Sequence, residues 1–207
     1  MSRGSLFRPR LVFSGRRGAK EAAAPAAADR AERFRRIMLP QMDAAYTLAR
    51  YLTRDATAAE DVVQDAFLRA YRSFDGWRGE APKAWLLAIV RNCFLTSLAS
   101  ERARAWSAGD PDAIAPSSYA EAIDERDPEA ILVEQSDAAM LRNMIEKLPE
   151  PFREALVLRE LEDLSYKEIA SITQVPIGTV MSRLARARQM LAALLLSDHG
   201  STKEARS

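Results

Sequence analysis

Leu164-Ser165-Tyr166-Lys167-Glu168-Ile169-Ala170-Ser171-Ile172-Thr173-Gln174-Val175-Pro176-Ile177-Gly178-Thr179-Val180-Met181-Ser182-Arg183-Leu184-Ala185-Arg186-Ala187-Arg188 reads as two helices and a corner. Ser165 followed three residues later by Glu168 is a capping box, in which each side chain satisfies a free amide at the helix start. A helix over 166–173 follows. Val175-Pro176-Ile177-Gly178 is a tight turn, and a last helix runs from 179 to about 195. Ile169, Ala170 and Ile172 face inward, with Ala170 small because the second helix crosses close to it. Val175 and Ile177 fill the corner. Val180, Leu184, Ala187 and Leu191 recur at three- and four-residue steps and give the second helix a buried stripe. Its other face presents Thr179, Ser182, Arg183 and Arg186. Two helices, a short turn and one free face make a helix-turn-helix. Long cations and small hydroxyls on that face reach phosphates and base edges, and an arginine fork grips a guanine at two points. The positive end of the helix favours a phosphate near Thr179. Taken alone, the pattern also fits a helical hairpin with a solvated arginine face.

Upstream, helix resumes at Ala138, with Leu141, Ile145 and Leu148 on one side. Pro149-Glu150-Pro151 stops it, and a helix over 154–162 carries Leu156, Val157 and Leu161. Residues 106–137 differ in character. Asp110-Pro111, Ala115-Pro116 and Asp127-Pro128 are breakers, and nine Asp or Glu against one Arg leave a net charge of −8. This is an acidic linker.

Before the linker lies a second helical block. Met42, Ala45, Tyr46, Ala49 and Leu52 form one stripe after Pro40. Thr57-Ala58-Ala59-Glu60 has the pattern of another capping box. Val63, Ala66, Phe67, Ala70, Tyr71 and Phe74 form the next stripe. Asp75-Gly76 breaks it, and Pro82 suits the first position of a helix running to about Arg104. Trp85 falls at core spacing in that helix. Trp77 lies in the preceding loop.

Glycine is scarce and no run alternates apolar with polar residues, so the chain is expected to be all-α: two small helical domains on an acidic linker. The boundaries are a basic tail at 1–30, a first domain at 31–105, the linker at 106–137, a second domain at 138–196 and a C-terminal tail at 197–207. Residues 1–36 hold ten Arg or Lys against three Asp or Glu, a net charge of +7, as befits a chain that meets polyanions. The single Cys93 excludes an internal disulfide and fits a reducing, cytoplasmic compartment. One Cys and one His (His199) make a structural metal site unexpected. No apolar run approaches the roughly 20 residues of a membrane span. There is no phosphate-binding GxxxxGK[ST] and no GxGxxG, so neither an enzyme nor a cofactor is expected.

The run 148–156 (Leu-Pro-Glu-Pro-Phe-Arg-Glu-Ala-Leu), with 164–170 and 175–188, resembles region 4 of extracytoplasmic-function sigma factors of bacterial RNA polymerase. Lysine is frequent in that family where Met181 stands. Residues 59–71, Ala-Glu-Asp-Val-Val-Gln-Asp-Ala-Phe-Leu-Arg-Ala-Tyr, are similar to region 2.2. The resemblance implies docking on the polymerase β′ clamp helices through Asp61, Gln64 and Asp65; read without it, these residues are an acidic solvated face. Residues 74–92 resemble regions 2.3 and 2.4, where the loop at 75–83 would capture a base flipped from the −10 element. That loop is one residue shorter than the common pattern, and Thr96 replaces an aspartate.

The family thus implies −35 contacts by Lys167, Thr179, Ser182, Arg183 and Arg186, and −10 contacts by Trp77, Arg78, Lys83, Arg91, Asn92 and Arg102. Its partners would be core polymerase (β′ clamp helices and β flap), promoter DNA and an anti-sigma factor, with no membrane insertion. Two other readings differ in class. A sigma-like decoy that only sequesters an anti-sigma factor should lack the cations kept at Arg91, Arg102, Arg183 and Arg186. A stand-alone helix-turn-helix repressor leaves residues 60–104 without a role.

Overall fold

A computed structural model describes residues 23–107 and 134–204 of the chain. The tail before Ala23, most of the acidic linker and residues 205–207 lie outside the described residues. Helix α1 (Ala23–Met38) begins eight residues before the expected Ala31, because the alanine-rich run is a strong helix former and Pro25 falls in its first turn. Phe34 and Met38 anchor it, 7% and 0% exposed. Pro40 then converts the chain to a 3₁₀ turn (Leu39–Gln41) before α2 (Met42–Thr53).

Arg54 turns the corner in the left-handed conformation, φ 59°. Helix α3 (Ala56–Ser73) follows, capped by Asp55, whose carboxylate accepts from the Ala58 amide at 2.7 Å. Thr57 is therefore inside the helix and not its cap. Asp55 is the earlier oxygen-bearing residue after the turn and takes the role first. A 3₁₀ turn (Phe74–Gly76) ends α3 at the expected break, and Pro82 opens α4 (Pro82–Ser107) as its position suggested.

Helices α2, α3 and α4 pack mutually as a bundle. Met38, Leu48, Leu86, Leu87 and Val90 are fully enclosed there. Each such side chain contributes about 1.5–3 kcal/mol by leaving water.

After the linker come α5 (Glu134–Glu146) and α6 (Glu150–Leu156). Pro149-Glu150-Pro151 does end α5, and α6 starts immediately behind it, because a proline near the first helical position costs no internal hydrogen bond. Buried Arg153 reaches back to cap α5, donating to the carbonyls of Leu148 (2.6 Å) and Glu146 (3.2 Å). Burial lowers its pKa to about 10. Helix α6 widens into a π-type turn (Val157–Leu161), closed by the Glu162 amide on the Val157 carbonyl at 3.1 Å.

Then α7 (Tyr166–Thr173) and α8 (Ile177–Glu204) form the helix-turn-helix. Leu148, Val157, Leu158, Ile169, Val180 and Leu184 fill this half, each at most 1% exposed. The two halves are joined: α4 packs on α7 and α2 on α6, so one apolar cluster runs through both.

The capping box at α7 is complete. Ser165 Oγ accepts from the Glu168 amide, and the Glu168 carboxylate accepts from the Ser165 amide at 2.8 Å and its hydroxyl at 2.6 Å. These hydrogen bonds hold the Glu168 carboxyl below its ordinary value. A carboxylate with a depressed folded pKa stabilises at neutral pH, and that contribution disappears as the pH falls through the folded value. Ser165→Ala should cost about 1 kcal/mol in thermal unfolding at neutral pH. The deficit should shrink in acid, and the Glu168 carboxyl should titrate higher by NMR.

Candidate nucleic-acid interface

The turn of the helix-turn-helix is Gln174-Val175-Pro176. Gln174 sits at φ 57° and closes α7, and the Val175 amide donates to the Ala170 carbonyl at 3.2 Å. The Thr179 and Val180 amides donate to the Pro176 carbonyl, so Ile177 and Gly178 already belong to α8. Ile177, expected in the corner, is instead 46% exposed on the first turn; Val175 alone stays half-buried there. Val180, Leu184 and Ala187 are buried and Leu191 half-buried, as their spacing requires.

The outer side of α8 carries Ser182 and Arg186 exposed, with Thr179 and Arg183 half-exposed and Met181 among them. Lys167 is exposed on α7. The Ile177 and Gly178 amides, which open α8, have no helical carbonyl to meet. An outward row of hydroxyls and guanidiniums ahead of a helix N-terminus is suited to a phosphate backbone and the bases behind it. Arg188, further along, is tied to Glu160 at 2.6 Å.

In the first half, Asp61, Gln64 and Asp65 are all exposed on α3, one turn apart, with Leu68 continuing the same strip at 54% exposure. Val62, Val63 and Ala66 face the core behind them.

The residues expected at the −10 element divide into two sets. Arg78, Asn92 and Arg102 are exposed. Trp77 is not a free-standing ring: it stacks on Phe74 with centroids 5.7 Å apart, tilts against Trp85 at 6.0 Å, and donates from Nε1 to the Glu80 carbonyl at 2.9 Å. Trp77 and Trp85 therefore share one half-buried aromatic stack. Lys83 and Arg91 are engaged by the second half of the protein. Lys83 Nζ donates to the Glu162 carboxylate at 3.2 Å and its carbonyl at 3.1 Å. Arg91 Nε donates to the Glu154 carboxylate at 2.6 Å. A third pair, Arg50 to Glu146 at 3.2 Å, lies on the same boundary. Burial pushes the Glu154 carboxyl up, and the charges of Arg91 and, more weakly, Arg183 draw it back.

Sequence reasoning passed over Arg30. From α1 it donates to the Tyr71 carbonyl at 2.5 Å, sets its guanidinium 4.6 Å from the Tyr71 ring centre and pairs with Asp75 at 3.1 Å. Phe34, one turn on, meets Phe67, Tyr71 and Phe74 edge-on. Arg30 and Arg33 of α1 thus support the loop after α3, and only the apolar residue beside each cation hinted at it. Among the described residues no group of three or more His, Cys, Asp or Glu is arranged to hold a metal ion, and no helix is long and apolar enough to cross a membrane.

Residues 41–107 match the Sigma-70 region 2 family and residues 138–191 the Sigma-70, region 4 family. The chain is 40% identical over 135 residues to the ECF RNA polymerase sigma-E factor of Escherichia coli K12, covering 63% of this chain and 70% of that protein. It is 37% identical over 145 residues to the RNA polymerase sigma-H factor of Pseudomonas aeruginosa, covering 66% and 72%. Among solved structures it is similar to the sigma factor RpoE of Bartonella quintana in complex with the anti-sigma factor NepR, with a TM-score of 0.65 and 29% identity over 81% of this chain and 99% of that one. It is also similar to CnrH in complex with the cytosolic domain of CnrY, at TM-score 0.58 and 25% identity over 85% and 96%. With both regions on one chain, in this order and on this helical frame, the protein belongs to the extracytoplasmic-function group of sigma-70 type RNA polymerase sigma factors.

Proposed function

We propose that this sigma factor, which directs RNA polymerase to promoters, divides that work between its two outward faces. The observation that carries the proposal is the free side of α8, where Thr179, Ser182, Arg183 and Arg186 stand over a fully buried Val180, Leu184 and Ala187. With Lys167 they read the −35 duplex through the major groove. Trp77, Arg78, Lys83, Arg91, Asn92 and Arg102 hold the opened −10 strand. Asp61, Gln64 and Asp65 dock on the β′ clamp helices, and the second domain rests on the β flap. Promoter elements tens of ångströms apart suit two modest sites on one chain, which combine through effective concentration.

The decoy and repressor readings are not favoured. The α8 cations are present, Arg186 exposed and Arg183 half-exposed, and residues 41–107 match region 2. One structural neighbour of this chain was captured with an anti-sigma factor, and we extend that mode of control to it, acting in the cytoplasm. The family is one of regulatory proteins, and its chemistry is the polymerase's.

Run-off transcription with core polymerase across a library of genomic promoters tests the proposal. Specific transcripts should appear with the wild type and fall sharply with Asp61→Lys/Asp65→Lys. No specific transcript from any promoter would sink it.

Arg183→Ala should weaken binding to −35 duplex by about 1–3 kcal/mol if the contact is a bidentate base contact, or reduce the salt slope by about one if it is to phosphate. Unchanged affinity and slope would remove Arg183 from the interface.

Arg30 serves as a positioning residue for promoter opening. Arg30→Ala should lower permanganate-reactive open complex about tenfold, the loss expected for one charge-assisted hydrogen bond of about 1.5 kcal/mol. Affinity for −35 duplex should not move, and Arg30→Lys should restore part of the loss. An equal fall in both readouts would mean that Arg30 only stabilises the fold.

A further inference from the structure

The second domain presents a row of carboxylates to the first. Glu146, Glu154 and Glu162 are spaced eight residues apart in sequence, and each meets a different cation of the first domain: Arg50, Arg91 and Lys83. The distances are 3.2, 2.6 and 3.2 Å. Glu154 and Glu162 are 3% and 6% exposed. Buried carboxylates of this kind are held in place only where a cation meets them. Two of the three cations, Lys83 and Arg91, belong to the proposed −10 face. A side chain whose donors are committed to a carboxylate is not available to a phosphate.

We propose that the Glu146–Glu154–Glu162 row of region 4 is an internal stand-in for the promoter's phosphates, which occupies Arg91 and Lys83 and holds the free sigma factor closed until promoter DNA takes its place. The proposal rests on the assignment of Lys83 and Arg91 to the −10 strand.

The contacts give this closed form two properties. Closure is electrostatic at the boundary, so added salt weakens it, more for the accessible Arg50 and Lys83 pairs than for the enclosed Arg91 pair. The closed form and the DNA-bound form compete for the same cations, so the apparent affinity for single-stranded DNA is reduced by the fraction of protein that is closed.

The test uses the full chain with Glu146→Gln/Glu162→Gln, which removes two of the three pairs without touching a residue assigned to DNA. Asp43→Asn/Glu60→Gln, which removes two charges from exposed positions elsewhere, is the control. Small-angle scattering at low salt should give a larger radius of gyration for the latch variant than for the wild type or the control. The wild type should approach the variant's value as salt is raised. Affinity for a mixed-sequence single-stranded DNA oligonucleotide, read by fluorescence anisotropy, should rise about fivefold in the latch variant and not in the control, as expected for two partly exposed pairs. Arg50→Gln, which breaks one pair from the other side, should give the same expansion to a smaller degree, so a folding defect in the glutamate variant does not decide the matter. An unchanged radius of gyration in both latch variants overturns the closure, whatever the DNA data show. An increased radius with unchanged DNA affinity, or an equal rise in the control, overturns the competition for Lys83 and Arg91.

Discussion

A carboxylate 3% exposed, with a guanidinium nitrogen 2.6 Å away on another domain, organises this molecule: Glu154 and Arg91. Removing one partner from such a buried pair costs about 3–5 kcal/mol, whereas exchanging both for apolar side chains is often neutral. A pair of this kind is thus a device for specificity. Apolar contact alone would let α4 slide over α7 through several registers. The charged groups admit one. The π-type turn after α6 serves the same end, because its extra residue shifts the register of the chain beyond it and leaves Glu162 enclosed against Lys83. Arg153 contributes from within the second domain: by capping α5 it fixes the end of the helix that bears Glu146.

The same economy appears in the first domain. Phe34, Phe67, Tyr71, Phe74, Trp77 and Trp85 form one connected set of ring contacts, with α1 supplying its outer wall. Arg30 and Arg33 lie over the rings of Tyr71 and Phe74. A loop expected to receive a flipped base has to be stiff, since unstacking a base costs a few kcal/mol and a loose pocket returns little of it. The stiffness here comes from rings packed beneath the loop and a cation clamped across its first residues. Trp77 belongs to that support as well as to the surface, one flank on Phe74 and its Nε1 on the Glu80 carbonyl.

Where the determinants were local, they were legible. Ser165 and Glu168 cap α7 through contacts three residues apart, Pro82 opens α4 because its missing amide costs nothing there, and the Val180–Leu184–Ala187 stripe is a periodicity. Each can be read without knowing what lies opposite. Boundaries that depended on a choice between neighbours were less legible. Asp55 competes with Thr57 for the α3 cap, and alanine-rich sequence is as compatible with a tail as with the helix that Phe34 anchors. Ile177 looked like a corner residue because its neighbour Val175 is one. Contacts between charges had no sequence signature at all. Arg91 and Glu154 are 63 residues apart and Arg50 and Glu146 are 96, and a lone charge among apolar neighbours reads the same whether it is solvated or paired. Candidate interface residues could therefore be named from the sequence, while the paired state of two of them, Lys83 and Arg91, could not.

That state bears on how a sigma factor is switched. A ligand moves a conformational equilibrium only by its difference in affinity for the two forms. On the proposed assignment, polymerase docking on Asp61, Gln64 and Asp65 draws on side chains exposed in the closed form, so that contact does not by itself distinguish closed from open. Promoter DNA would distinguish them, because Lys83 and Arg91 cannot serve carboxylate and phosphate together. An anti-sigma factor seated against both domains would act with the opposite sign, adding contacts that exist only while the two are apposed. On this arrangement the charges at one internal boundary set how much binding free energy DNA must supply before the first phosphate contact is gained. Substitutions in Glu146 or Glu162 would then tune promoter response without altering a single residue that touches the promoter.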